Sequence, residues 1–95
     1  MRGDYEAAEM AYERALRIRE RLLGDDHIDL TPLLSNLAAL AYYRGDFSSA
    51  LAIDRRVLAI REKNLPSGHP SIAEATYNVA MVAANVEDSA AVEQI

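Results

Sequence analysis

The side chains best suited to chemistry in this chain are His27 with Asp25, Asp26 and Asp29, which crowd into one short stretch. Imidazole nitrogen and carboxylate oxygen are the donors that a divalent cation takes. Packed into a single loop, these groups suit a histidine that caps or packs against a helix better than a metal centre. Glu13, Glu20 and Glu62 are the carboxylates that acid–base catalysis would draw on, but they fall on charged, solvated helix faces. No Ser/His/Asp order, nucleophile elbow or phosphate-cradling glycine loop is present, and the four glycines all read as punctuation. With no cysteine there is neither a disulfide framework nor a thiolate metal site. The residues therefore point away from an enzyme and from any cofactor or metal, towards a binding scaffold.

Arg14, Arg17, Arg19 and Arg21, with Arg55, Arg56, Arg61 and Lys63, offer a basic stripe for an acidic peptide. The same side chains sit where the helix dipole favours a cation, and a solvated helix end explains them as well. Net charge is −5, from 10 basic and 15 acidic residues, and beyond Lys63 there is no basic residue at all. That balance argues against nucleic acid and against an anionic membrane as partners. Met1-Arg2-Gly3-Asp4-Tyr5-Glu6 is charged and already belongs to the first helical pattern. Neither a secretory h-region nor a transmembrane span is expected, and a cytoplasmic setting is compatible.

The elements that carry these residues are organised around 36–50, which reads as the end of one helix, a turn at Gly45 and the start of the next. Ala38, Ala41 and Ala50 are small enough to let two helices approach closely, with Leu37, Leu40 and Phe47 filling the space beside them. Displacing the chain against itself by 42 residues aligns Gly3 with Gly45, Asp4 with Asp46, Tyr5 with Phe47, Ala8 with Ala50, Leu16 with Leu58, Ile18 with Ile60 and Glu20 with Glu62. The same offset continues through His27/His69, Asn36/Asn78, Ala38/Ala80 and Ala41/Ala83. A register kept across helices and loops alike marks an internal repeat, whose unit is a pair of helices.

Apolar periodicity places helices at about 4–23, from near Asp29 or Thr31 to the Gly45 turn, at about 47–65 and at about 71–85, all in one domain. Asp4 is a candidate cap for the first, Asp29 or Thr31 for the second, and Ser71-Ile72-Ala73-Glu74 reads as a capping box for the fourth. Gly24 and Pro66 end their helices. Asp54 interrupts the apolar face of the third helix, where the first copy has Tyr12. The tail, 86–95, has Glu87 in place of the turn glycine and Ser89 in place of the aromatic, so a short or frayed final helix is expected there.

Gly3-Asp4-Tyr5-Glu6-Ala7-Ala8-Glu9, Arg14-Ala15-Leu16-Arg17-Ile18-Arg19-Glu20 and Asn36-Leu37-Ala38 resemble tetratricopeptide repeats, and more narrowly the 42-residue variety of kinesin light chains. The resemblance implies an all-α, helix-turn-helix α-solenoid of about two repeats with a right-handed superhelix. The chain would run from a second (B) helix at 4–23, through an A/B repeat at 29–65, to an A helix at 71–85 and the degenerate tail. It also implies a protein or peptide as partner, held in a concave groove lined by the outer sides of the A helices. By position that groove presents Ser35, Asn36, Ala39, Tyr42 and Tyr43, then Tyr77, Asn78, Met81 and Asn85. In kinesin light chains the asparagine of the Asn-Leu-Ala motif bonds the backbone of a bound peptide; Asn36 matches that position and Asn78 lies in Asn-Val-Ala. A structural bond to the neighbouring helix would use either amide equally well.

The ends of such a solenoid supply a rival surface. A repeat contacts only its neighbours, and at least about three are usually needed for stability. The first helix lacks an A partner over Tyr5, Ala8, Tyr12, Ala15 and Leu16, and the fourth lacks a complete B partner over Val79 and Val82. Association of two copies through these faces, as a homo-oligomer, is the alternative function, and an accessory piece of a larger signalling protein or enzyme is a third.

Overall fold

The computed structural model describes the backbone of residues 2–93 and the side chains of residues 4–88. The described residues form four helices, α1 (Arg2–Leu23), α2 (Thr31–Tyr43), α3 (Phe47–Asn64) and α4 (Pro70–Glu93), with a 3₁₀ turn at Ile28–Leu30 ahead of α2. The fold is all-α, a helical repeat of about two units, and no strand occurs among the described residues. Each helix packs on its neighbours in sequence, α2 against α1 and α3, and α3 against α4. The assembly is a slab of 44 × 34 × 17 Å.

The α2–α3 hairpin follows from Gly45. Its φ of +85° lies in the left-handed region, where a side chain is strained, although a Cβ there would meet no atom within 4 Å. With that residue in place, Asp46 N–H bonds Ala41 O at 2.9 Å and Gly45 N–H bonds Tyr42 O at 3.0 Å, a Schellman closure of α2. Asp46 then caps α3, accepting from Ser49 N–H at 3.2 Å. Ala38, Ala41 and Ala50, at 4%, 3% and 0% exposure, lie in the contact between the helices, as small residues in a close crossing must.

Two apolar clusters hold the slab together. Leu30, Leu34, Val57, Ile60 and Ala75 form one, with Leu16, Ile28, Ile53 and Leu58 against it. Ala41, Ala50 and Val82 form the other, with Tyr42, Phe47 and Leu51 around them. Leu30, Leu34 and Ile60 are the largest fully buried side chains among the described residues. Each is worth roughly 1.5–3 kcal/mol relative to an exposed position. Thr31 is the buried polar residue among those described, and its hydroxyl donates to Ile28 O at 2.7 Å.

The helix starts differ from those expected. α1 already runs at Arg2, so Asp4 lies within the first turn. The histidines do the capping downstream: His27 Nδ1 accepts from Asp29 N–H and His69 Nδ1 accepts from Ser71 N–H, both at 3.0 Å. The expected capping box of Ser71 and Glu74 does not form; Pro70 opens α4 and Glu74 faces Arg61 at 3.5 Å. α4 also passes the expected end near Asn85 and continues to Glu93. After Pro70 the sequence holds neither glycine nor proline, and with Glu87 where the repeat has its left-handed glycine nothing stops the helix.

Candidate functional site

α2 and α4, equivalent helices of successive repeats, flank α3, and between them lies an open hollow of about 280 Å³. Ser35, Ala38, Ala39, Tyr42 and Tyr43 form its α2 wall, Asn78, Met81 and Val82 its α4 wall, and Asp54 of α3 joins them. The spacing of the wall residues puts them there, since i, i+3, i+4 and i+7 share a helix face: Ser35, Ala38, Ala39 and Tyr42 on one side, Asn78, Met81 and Val82 on the other.

Of the residues the sequence pointed to, Ser35, Ala39, Tyr42, Tyr43, Asn78 and Met81 line this hollow. Tyr43 and Met81 are 71% and 43% exposed, large side chains left open to solvent among the described residues. Tyr42 is half-buried, edge-on to Phe47 at 5.3 Å and to Tyr43 at 6.0 Å. Its hydroxyl accepts from Asn85 Nδ2 at 3.4 Å, which ties α4 to α2 beside the hollow. Asn85 also donates to Met81 O at 3.3 Å, so its amide is engaged in structure. Asn36 and Tyr77 are exposed and lie outside the lining of the hollow.

Asp54, with Ala38 and Val82, lines the hollow although position in the repeat did not single it out for the groove. Its mismatch with Tyr12 was the visible signal. Burial pushes its carboxyl above the usual value of 3.8. Elsewhere acids meet cations: Arg44 holds Glu9 at 2.8 Å and Asp46 at 3.3 Å, Arg56 holds Glu20 at 2.6 Å, and Lys63 holds Asp26 at 2.7 Å. Hydrogen bonding to Ser49, and then Arg44, lowers the Asp46 carboxyl; hydrogen bonding to Lys63 lowers that of Asp26. Arg56, Arg61 and Lys63 of the basic stripe are therefore clips between elements, Arg61 also donating to Ser71 O at 2.8 Å. Glu20, one of the acid–base candidates, is committed to Arg56. Among the described residues no group of three or more His, Asp or Glu side chains is placed to hold a metal ion, and no helix is long and apolar enough to cross a membrane.

The faces expected at the solenoid ends come out differently. Ala8, Tyr12, Ala15 and Leu16 are half-buried, with Leu16 packed on the core, and Tyr5 is 40% exposed. Val79 is half-buried, and Val82 is buried with Ala41 and Ala50, so Val82 presents no free surface for association. The uncovered side of α1 is the adjoining stripe of Ala7, Ala11, Ile18 and Leu22, in which Ile18 is 49% and Leu22 77% exposed. Ile60, the repeat equivalent of Ile18, is 1% exposed in the core cluster with Leu30 and Leu34. The periodicity gave α1 a broad apolar face; which part of it α2 covers depends on the crossing, which periodicity does not specify.

A family model, described as tetratricopeptide repeat, matches residues 1–63, spanning α1, α2 and most of α3. No curated protein matches the chain. The helix α4 lies beyond the matched residues, and its relation to α2 rests on the internal offset of 42.

Proposed function

The chain belongs to the tetratricopeptide-repeat family, and from that premise we propose that it is a non-catalytic interaction module that receives an extended peptide segment of a partner protein between α2 and α4. Repeats of this family generally mediate protein–protein interaction. The observation that carries the reading is the run of uncovered Tyr43, Tyr77 and Met81 along two equivalent helices beside an open hollow. Tyrosine gives contact area with a polar tip, and methionine adapts to the shape it meets. Asn78 supplies an amide for a peptide backbone, in the manner of the kinesin-light-chain variety whose period the chain shares, and Asn36, exposed on α2 outside the hollow, is the second candidate amide. The test is selection from a random-peptide phage library, with the Tyr43→Ala/Asn78→Ala double variant as the comparison target. Selected peptides should bind the variant more weakly by roughly 1–3 kcal/mol for each partner left unpaired, with its thermal melt little changed. Peptides that bind both proteins alike would contradict the groove.

A second reading, self-association, draws support from the exposed stripe on α1. Ile18 and Leu22 there have the character of a core face without a cover. A second copy laid on it two-fold would close the surface. Sedimentation across a wide concentration range separates the two, because a groove binder stays monomeric when Leu22→Asp changes nothing.

A further inference from the structure

Among the described residues the hollow contains one charged side chain, and no ion pair or hydrogen bond of the chain uses it. Asp54 is half-buried, and among the described residues no hydrogen bond or ion pair reaches its carboxylate, whose shift has burial alone as its cause. Five other acids facing neighbouring elements or turns have a cation: Glu9, Glu20, Asp26, Asp46 and Glu74. At the equivalent place in the first repeat stands Tyr12, which fills the position without desolvating a charge. An unpaired acid in a part-buried position costs stability, and rules of this kind are broken where a site needs them broken.

The walls supply no counter-charge. α2 carries no charged residue from Thr31 to Tyr43, and α4 carries acids and no base. The one charged side chain lining the hollow is Asp54 itself. A compensating cation therefore comes with the occupant.

We propose, building on the peptide groove above, that the partner segment inserts a lysine or arginine side chain between α2 and α4, where Asp54 accepts its N–H donors and selects it. A carboxylate bonds an ammonium or guanidinium group with charge assistance, and more strongly where water is partly excluded. Tyr42 and Tyr43 line the same hollow, and the faces of aromatic rings attract cations. Ser35 and Asn78 add polar groups at the two walls. The net charge of −5 steers a basic segment towards the protein but does not choose its register; Asp54 does.

The experiment uses the same random-peptide phage library on the wild-type chain. Winners should carry Lys or Arg at one fixed position, and replacing that residue by Gln in a synthetic winner should weaken binding to wild type roughly ten- to hundredfold. On Asp54→Asn the same replacement should cost little, which is the coupling expected of a direct pair. Asn keeps the shape and removes a buried charge, so the variant should fold, and its circular dichroism melt verifies this. Winners without a basic residue, or an equal loss on Asp54→Asn, overturn the assignment, the second tracing the preference to overall charge. Winners that need Tyr43 and Asn78 but no cation leave the groove standing and sink Asp54 alone. Winners indifferent to Tyr43 and Asn78, or no enrichment at all, sink both.

Discussion

Ile18 and Ile60 occupy one position of the repeat in two environments, and substituting each by alanine isolates what the missing cover is worth. Ile60 is 1% exposed among Leu30, Leu34, Val57 and Ala75, so Ile60→Ala removes buried carbons and leaves a cavity. Such truncations cost about 2–5 kcal/mol. Ile18 is 49% exposed and borders no closed cavity, so about half of the roughly 1.5–3 kcal/mol of complete burial is at stake, near 1 kcal/mol. Both changes delete the same atoms from a helix and gain the same small propensity advantage of alanine, which cancels in the comparison. Urea denaturation followed by helical circular dichroism gives both values. In a domain of this size about 1 kcal/mol moves the melting temperature by roughly 4–8 °C, so the two variants separate clearly. Equal losses at low protein concentration would refute the reasoning, because they would mean that the outer stripe of α1 is covered in the folded chain.

Three further outcomes follow from particular residues. The raised carboxyl of Asp54 means that the folded state holds more protons than the unfolded one above pH 3.8, so stability falls as pH rises through that window; Asp54→Asn should be the more stable protein at neutral pH and lose its advantage in acid. Asp26 and Asp46, whose carboxyls are lowered, act in the opposite sense, and their contribution is lost as pH falls below the usual 3.8. Gly45→Ala should cost roughly 1–2 kcal/mol through backbone strain alone, because its Cβ meets nothing within 4 Å; a neutral result in thermal melts would contradict the left-handed turn. If α1 pairs with a second copy, Leu22→Asp should shift sedimentation to the monomer at concentrations where wild type associates.

The fold was legible because it is written twice. Gly45 and the alanines at 38, 41 and 50 marked the hairpin, and the offset carried that assignment to α4. The repeat also misled where local composition should have ruled: its period set the end of the fourth helix near Asn85 with a short or frayed helix after it, but a run without glycine or proline stays helical to Glu93. His27 was legible as a loop histidine that caps or packs, and it does cap; the starts of α2 and α4 were assigned to aspartate, serine and threonine because those are the usual signals, although His69 shares the repeat offset with His27. Six of the residues that the resemblance to the repeat family assigned to a groove line the hollow. Val82 was misassigned because an apolar position tells that a residue is covered and not by which neighbour; α2 and α3 already bury it. Asp54 announced itself only as a broken pattern, and its place in the hollow depends on how α3 sits between α2 and α4.

The most direct test of the groove is a nitrogen–proton correlation spectrum of the labelled chain, titrated with a peptide selected on wild type. The account predicts amide shifts concentrated at Ser35, Ala39, Tyr43, Asn78 and Met81, together with a carboxyl shift at Asp54. Shifts centred instead on Ala7, Ala11, Ile18 and Leu22, with the α2 and α4 walls silent, would place the working surface on α1 and contradict it.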